Sequence, residues 1–150
     1  MDGKIDKRKA RTEARPYQLD DQVGYLLRLA NQRHTSIFVS RSAHNLTATQ
    51  FSAIVRLAEI GSCSQNQLGR LVGMDIATIK GVVDRLIQKN WVEVKPDMQD
   101  RRRSVISLTT AGQDMVDDLK ETGHAITDET LAPLSPPDRE TLIRILRLIS

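Results

Sequence analysis

The stretch DMQDRRRSVISLTT, Asp97 to Thr110, decides the fold. Arg101, Arg102 and Arg103 repel one another and bury nothing. They lead directly into SVISLT, which alternates apolar and polar residues as a half-buried strand does. WVEVKP (Trp91 to Pro96), just upstream, alternates in the same way, so the pair predicts a β-hairpin with a basic tip. Before it, DIATIKGVVDRLIQKN is expected to form a helix opened by Asp75, with Ile76, Ile79, Val82, Val83, Leu86 and Ile87 on one face. SQNQLGRLVG predicts a shorter helix that Ser64 caps, Gln67 closes with a capping box and Gly73 ends. Two helices joined by a tight turn at VGMD, followed by a two-stranded ribbon, make a winged helix-turn-helix.

The flanking sequence reads as helical. Leu19 to about Arg41 carries Val23, Leu26, Leu27, Ala30 and Ile37 at helical spacing. LTATQFSAIVRLAEIG begins a second helix, with Thr47 as N-cap, Gln50 closing its box and Gly61 as the stop. Thr109 or Thr110 begins a helix reaching roughly Leu131. In SPPDRETLIRILRLIS, Ser135 caps, Pro136 takes the first helical position, and Leu142, Ile145 and Ile149 form the stripe. The fold class is therefore mainly α with a small β-hairpin wing, without internal repeats.

Composition agrees. The 150 residues suit one domain, and 3% aromatics with plentiful Leu, Ile, Val and Ala favour an aliphatic helical core. No apolar run approaches the ~18 residues that span a bilayer, and the basic N-terminal stretch lacks the apolar segment of a secretory signal. The single cysteine, Cys63, excludes an internal disulfide framework and fits a reducing cytoplasm. Charge runs in a gradient. Residues 1–18 carry six Lys/Arg against three Asp/Glu, residues 65–105 eight against five, and residues 106–150 four against eight. Such polarity suits a chain that presents one face to a polyanion, although solvated charge without a partner reads the same.

The expected recognition helix supplies a suitable face. Opposite its apolar stripe lie Ala77, Thr78, Lys80, Gly81, Asp84, Arg85 and Gln88. Ala77 and Gly81 permit close approach to base edges. Thr78 can meet a thymine methyl or a phosphate, and Lys80 and Arg85 can neutralise phosphates or read guanine. Ser64 and Gln65, at the start of the preceding helix, are further DNA-contact candidates. With the helix in the major groove, a basic ribbon tip lies over the neighbouring minor groove, whose negative potential attracts arginine. Asp100 is expected to hold one guanidinium by a bidentate pair. The arginines thus face DNA.

The segments LTATQFSAI, QLGRLVGMDIATIKGVVDRLIQKNWVEV and DMQDRRRSVISLTTAG resemble the MarR family of bacterial transcription regulators. The likeness runs from about residue 20 to the C-terminus. Its most specific part is the wing's D-x-R followed by x-L-T-x-x-G. The resemblance implies a homodimer, with residues 62–108 as the DNA-binding lobe, 19–45 and 110–150 as dimerisation helices, and 1–18 as a flexible basic arm. It also implies a double-stranded pseudo-palindromic operator and, often, release by a small phenolic or carboxylic ligand. By that pattern Asp100 and Arg102 fall on D-x-R, with Arg102 in the minor groove and Arg101 and Arg103 auxiliary.

An enzyme is disfavoured, since His34, His44 and His124 match no metal-ligand spacing and no glycine-rich phosphate loop is present. No cofactor or metal is implied. An effector-independent architectural DNA-binding protein and a Cys63-based redox sensor are the alternatives, Cys63 reading more simply as a half-buried turn residue. For the effector, the first helix offers His34, with Arg28, Asn31 and Phe38 around it. An imidazole there can bond a carboxylate or phenol while Phe38 and Leu27 enclose a ring, and Arg28 or Arg33 can supply positive charge. The bland alternative is a core histidine satisfied by a backbone carbonyl. LLRLANQRHTSIF most resembles members that regulate aromatic-acid degradation, which implies an aromatic acid or its coenzyme A thioester.

Overall fold

The computed structural model describes residues 15–150, so the expected basic arm lies, except for its last four residues, outside the described ones. The chain divides into two compact units, Met1–Gln32 and Arg33–Ser150. In the first, a 3-10 turn (Leu19–Asp21) precedes helix α1 (Val23–Arg41), which runs on into the second. The sequence pattern places the start of this helix at Leu19. Gln22 adopts an extended conformation between the two pieces, so α1 starts afterwards. The second unit continues with α2 (Ala48–Ile60), β1 (Ser62–Cys63), α3 (Gln65–Leu71), α4 (Ile76–Gln88), β2 (Val92–Pro96) and β3 (Ser104–Leu108). Then follow α5 (Thr110–Asp114), α6 (Val116–Thr130) and α7 (Pro136–Ile149). This is the expected mainly helical architecture with a β wing.

Local chemistry sets the helix ends. Thr47, Ser64, Asp75, Thr109 and Ser135 each accept the backbone N–H three residues on, satisfying a donor that the helix itself cannot. Each such cap is worth about 1 kcal/mol. Thr47 and Gln50 complete a capping box, whereas Gln67 contributes only its backbone N–H to Ser64, so the second expected box is half made. Gly73, at φ +67°, turns the chain between α3 and α4 in a conformation that costs a residue with a Cβ. At the far end of α4, Asn90 takes the left-handed position. Its N–H bonds to Ile87 O, and Trp91 N–H bonds to Leu86 O, which is a Schellman ending.

Leu68 of α3, Ile79, Val83 and Leu86 of α4, Ile54 and Leu57 of α2, Val92 of β2 and Leu119 of α6 form one dry core. Ile76 and Ile87, expected on the same stripe, are exposed, because they flank it and no neighbouring element covers them. The hairpin register pairs Val92 with Leu108 and Pro96 with Ser104. A third strand has no counterpart in the sequence pattern: β1 joins the free edge of β3, with Cys63 opposite Ile106. Two residues are too short to show alternation. Cys63 is therefore a buried strand residue, not a half-buried turn residue, and burial pushes its thiol pKa up.

The expected single helix from Thr109 to Leu131 is broken at Met115 into α5 and α6. The two pieces are held by different neighbours. Thr109 donates N–H to Trp91 O at 3.1 Å and its hydroxyl to Asn90 O at 2.6 Å, which ties α5 to the root of the wing. Gly112 sits so close that an added Cβ would lie 2.1 Å from the Trp91 carbonyl oxygen. Beyond the break, Val116, Leu119 and Ile126 bury themselves in the core clusters. In a second cluster Phe38 meets Phe51 edge-on at 5.8 Å beside Ile37 and Ile126. Helix α7 buries no residue: of its expected apolar stripe Leu142 is half-buried, while Ile145 and Ile149, with Ile143, Leu146 and Leu148 beside them, stay exposed among the described residues.

Gly112→Ala should destabilise the fold by at least about 1–3 kcal/mol, since backbone has to move to admit the methyl. Gly81→Ala, in mid-helix with nothing within 4 Å of the new Cβ, should stabilise by up to about 1 kcal/mol. Urea midpoints at one fixed protein concentration check both.

Candidate nucleic-acid interface

The recognition surface begins with the packing of α3 on α4. Gly69 is buried there, and a Cβ on it would stand 3.1 Å from both Ile79 Cγ2 and Met74 O, so the two helices approach as near as backbone allows. With Ile79, Val82, Val83 and Leu86 turned inward, Ala77, Thr78, Lys80, Gly81, Asp84, Arg85 and Gln88 are all exposed. Lys80 Nζ lies 2.8 Å from Asp84 Oδ2 one turn along, a solvent-exposed pair worth only a few tenths of a kcal/mol, so a phosphate can displace it. Asp75 stands as a carboxylate at the helix start, held there as the N-cap. Its Oδ1 accepts Thr78 N–H at 2.7 Å, and that bond holds its carboxyl below the usual carboxylate range. Ser64 caps α3 with its hydroxyl, and Gln65 beside it is half-buried.

The wing tip is organised by short-range bonds. Asp97 N–H to Arg103 O (2.9 Å) closes the loop, Arg103 N–H bonds to Asp100 O (2.9 Å), and Gln99 N–H bonds to Asp97 Oδ1 (3.0 Å). Asp100 is the hub. Its Oδ1 accepts the Arg102 backbone N–H at 3.1 Å and faces Arg102 Nε at 3.4 Å, while its Oδ2 faces Arg103 Nε at 3.6 Å. The expected bidentate grip on one guanidinium is not formed: the carboxylate divides between two arginines and spends its best bond on the backbone. The Arg102 side chain remains 93% exposed. The D-x-R spacing therefore fixes the turn while leaving the guanidinium exposed, with only a long contact to Asp100.

The four effector candidates all lie on α1. Arg28 and Asn31 belong to the N-terminal unit, where Arg28 lies over the Tyr25 ring at 5.4 Å. His34 and Phe38 belong to the second, where Phe38 is part of the buried cluster and His34 Nδ1 lies 3.0 Å from Thr130 Oγ1. The histidine's partner is thus a side-chain hydroxyl and not a backbone carbonyl. Arg33 donates to Glu129 O at 2.7 Å, and Arg41 pairs with the Glu129 carboxylate. A cation on the last carbonyls of α6 is the favourable arrangement at a helix C-terminus, which gives Arg33 a structural role. Three residues absent from the sequence-derived candidates, Asn66, Arg70 and Met98, are exposed on α3 and at the wing tip. Arg70 is legible as a cation in the last turn of a recognition unit, while the exposure of Met98 appears only in the folded loop.

No helix among the described residues is long and apolar enough to cross a membrane. The MarR family model matches residues 46–104, from the start of α2 to the wing. The HTH-type transcriptional repressor NicR of Pseudomonas putida is 34% identical over 98% of this chain and 94% of its own. A probable transcriptional regulator from Pseudomonas aeruginosa, solved as a crystal structure, is 44% identical with a TM-score of 0.85 over 89% of this chain and 100% of that one. BpsR of Bordetella bronchiseptica, whose DNA binding is regulated by 6-hydroxynicotinic acid, is 34% identical with a TM-score of 0.84 over 90% and 97%. The whole length of the chain, its exposed polar helix face and its arginine-tipped wing agree on one assignment: it belongs to the MarR family of winged helix-turn-helix, DNA-binding transcription regulators.

Proposed function

We propose that this chain is a homodimeric repressor that holds a pseudo-palindromic operator and is released by a hydroxylated aromatic or heteroaromatic acid. The observation that carries the DNA half is the wing, where Asp100 sets the turn and leaves the Arg102 side chain exposed. In this reading α4 enters the major groove with Ala77, Thr78 and Gly81 towards the bases. Lys80 and Arg85, with Ser64 and Gln65 of the α3 start, meet bases or phosphates. Arg102 enters the adjacent minor groove, flanked by Arg101 and Arg103. The uncovered aliphatic face of α7 supports a dimer, since a second copy would bury it. Two recognition helices related by a two-fold axis then reach half-sites about 10 base pairs apart.

The effector class follows from the regulation of BpsR by 6-hydroxynicotinic acid, together with the repressor NicR. His34 is the residue assigned to the acid. When the Thr130 hydroxyl donates to Nδ1, the proton sits on Nε2, from which it can be donated to a carboxylate. The ligand releases DNA only by binding the DNA-incompetent arrangement more tightly. A tenfold loss of DNA affinity needs about 1.4 kcal/mol of such coupling. Cys63 favours no redox switch, because a buried thiol with a raised pKa forms little of the reactive thiolate.

Three measurements test this reading. Sedimentation at micromolar concentration should show a dimer, and a stable monomer would refute the operator geometry. Arg102→Ala should weaken operator binding by about 1–3 kcal/mol and reduce the salt slope by about one, with circular dichroism unchanged. In a mobility shift, 6-hydroxynicotinic acid or a related aromatic acid should lower DNA affinity at least tenfold, and His34→Ala should blunt that response while leaving basal binding intact. Release by an aromatic coenzyme A thioester alone would move the effector to the other class. Release by neither would leave an effector-independent DNA-binding protein.

A further inference from the structure

The two most exposed large apolar side chains of residues 62–108 are Met98 at the wing tip, 97% exposed, and Ile76 on the first turn of α4, 71% exposed. Ile76 departs from its own sequence pattern. It lies on the flank of the stripe that buries Ile79 and Val83, yet α3 ends at Leu71 and the Gly73 turn leaves the first turn of α4 uncovered. The side chain lines a mostly apolar groove of about 560 Å³ with Met74 and Ala77, rimmed by Asn66 and Arg70 of α3. The groove does not depend on a mobile segment: Gly69 packs against Ile79 and the Met74 carbonyl at its floor.

We infer that Ile76 is a sequence-reading residue, whose side chain takes the C5-methyl group of a thymine in each half-site. The inference rests on the operator reading above and specifies what the start of α4 recognises. One observation and two general properties of major-groove recognition select this occupant. The residues that carry the groove belong to the basic stretch 65–105, and Arg70 at the rim suits a polyanion. The N-terminal residues of a recognition helix are the ones that meet base edges. Among the groups that base pairs present in the major groove, the thymine methyl is the apolar one, so an isoleucine gains there what it cannot gain from a guanine or cytosine edge. Asn66 and Arg70 are placed to satisfy polar atoms around it. Ala77, beside Ile76, is too short to fill the same space, and Thr78 is held by its N–H to Asp75 on the next position of the turn.

The binding site for the test is obtained by selection. The wild-type protein enriches duplexes from a library with a randomised central segment, and each thymine of the enriched site is then replaced singly by deoxyuridine, which removes only the methyl. One thymine per half-site should lose about fourfold in affinity on replacement, the factor that matches about 0.8 kcal/mol for one buried methyl. Ile76→Ala should bind the thymine and deoxyuridine duplexes equally and, in its own selection, lose the preference at that position while keeping the rest of the site. Ile76→Val should retain part of the methyl effect. Because the side chain is exposed, the melting temperature of Ile76→Ala should stay with the parent's, and Thr78→Val serves as the comparison for a neighbouring methyl contact. An enriched site whose deoxyuridine sensitivity is the same in wild type and Ile76→Ala overturns the inference and leaves the repressor reading standing. A wild-type protein that enriches no site overturns both.

Discussion

The backbone around Trp91 is the constraint on which the rest of the second unit depends. Its carbonyl oxygen accepts Thr109 N–H and leaves no room for a Cβ on Gly112, so β3 must return beside the start of β2 and α5 must begin there. Its N–H closes the end of α4 through Leu86 O. Its ring receives the Lys89 ammonium at 4.8 Å and meets His44 edge-on at 6.0 Å. Lys89 also donates to His44 O and Asn45 O, two consecutive residues with left-handed backbone, and His44 Nε2 faces Asp118 of α6 at 3.4 Å. The C-terminal end of α4, the wing and the α1–α2 corner thus meet at Trp91, and His44 links that corner on to α6.

That junction shows how a small lobe can present a well-defined surface. Exposed ion pairs such as Lys80–Asp84 or Arg56–Glu59 contribute little each. The definition comes from backbone bonds that have no alternative partner once the core is closed, and from two glycines, Gly69 and Gly112, where backbone touches its neighbours directly. The same economy operates in the wing. Asp100 binds the Arg102 amide and contacts two guanidiniums at long range, so the turn is fixed and the charges remain available. A tighter ion pair would have withdrawn the arginine side chain from solvent.

Sequence by itself determined the features that depend on neighbours within about four residues. Four helix starts, at Thr47, Ser64, Asp75 and Ser135, were legible because a Ser, Thr or Asp preceding an apolar-periodic run has a local donor to satisfy, and the fifth was narrowed to Thr109 or Thr110. The hairpin, its basic tip and the outward face of α4 were legible from the alternation of two strands and the 3.6-residue period of one helix. From these came the winged helix-turn-helix and the DNA-binding class, while the family came from the resemblance of the quoted segments.

Only the tertiary structure decided what depends on residues far apart. Strand β1 has two residues and no pattern of its own, and exists because Cys63 finds Ile106 across the sheet. The break at Met115 follows from two neighbours, the Trp91 carbonyl and the α2 core, that pull α5 and α6 apart. His34 read as a lone polar residue in an apolar stripe, and its partner, Thr130, lies 96 positions away. Ile76 has the spacing of a core residue, but burial requires a neighbour to supply the cover, and the fold places none over the first turn of α4. Periodicity says which side of a helix is apolar. What lies against that side is fixed by where the other helices end.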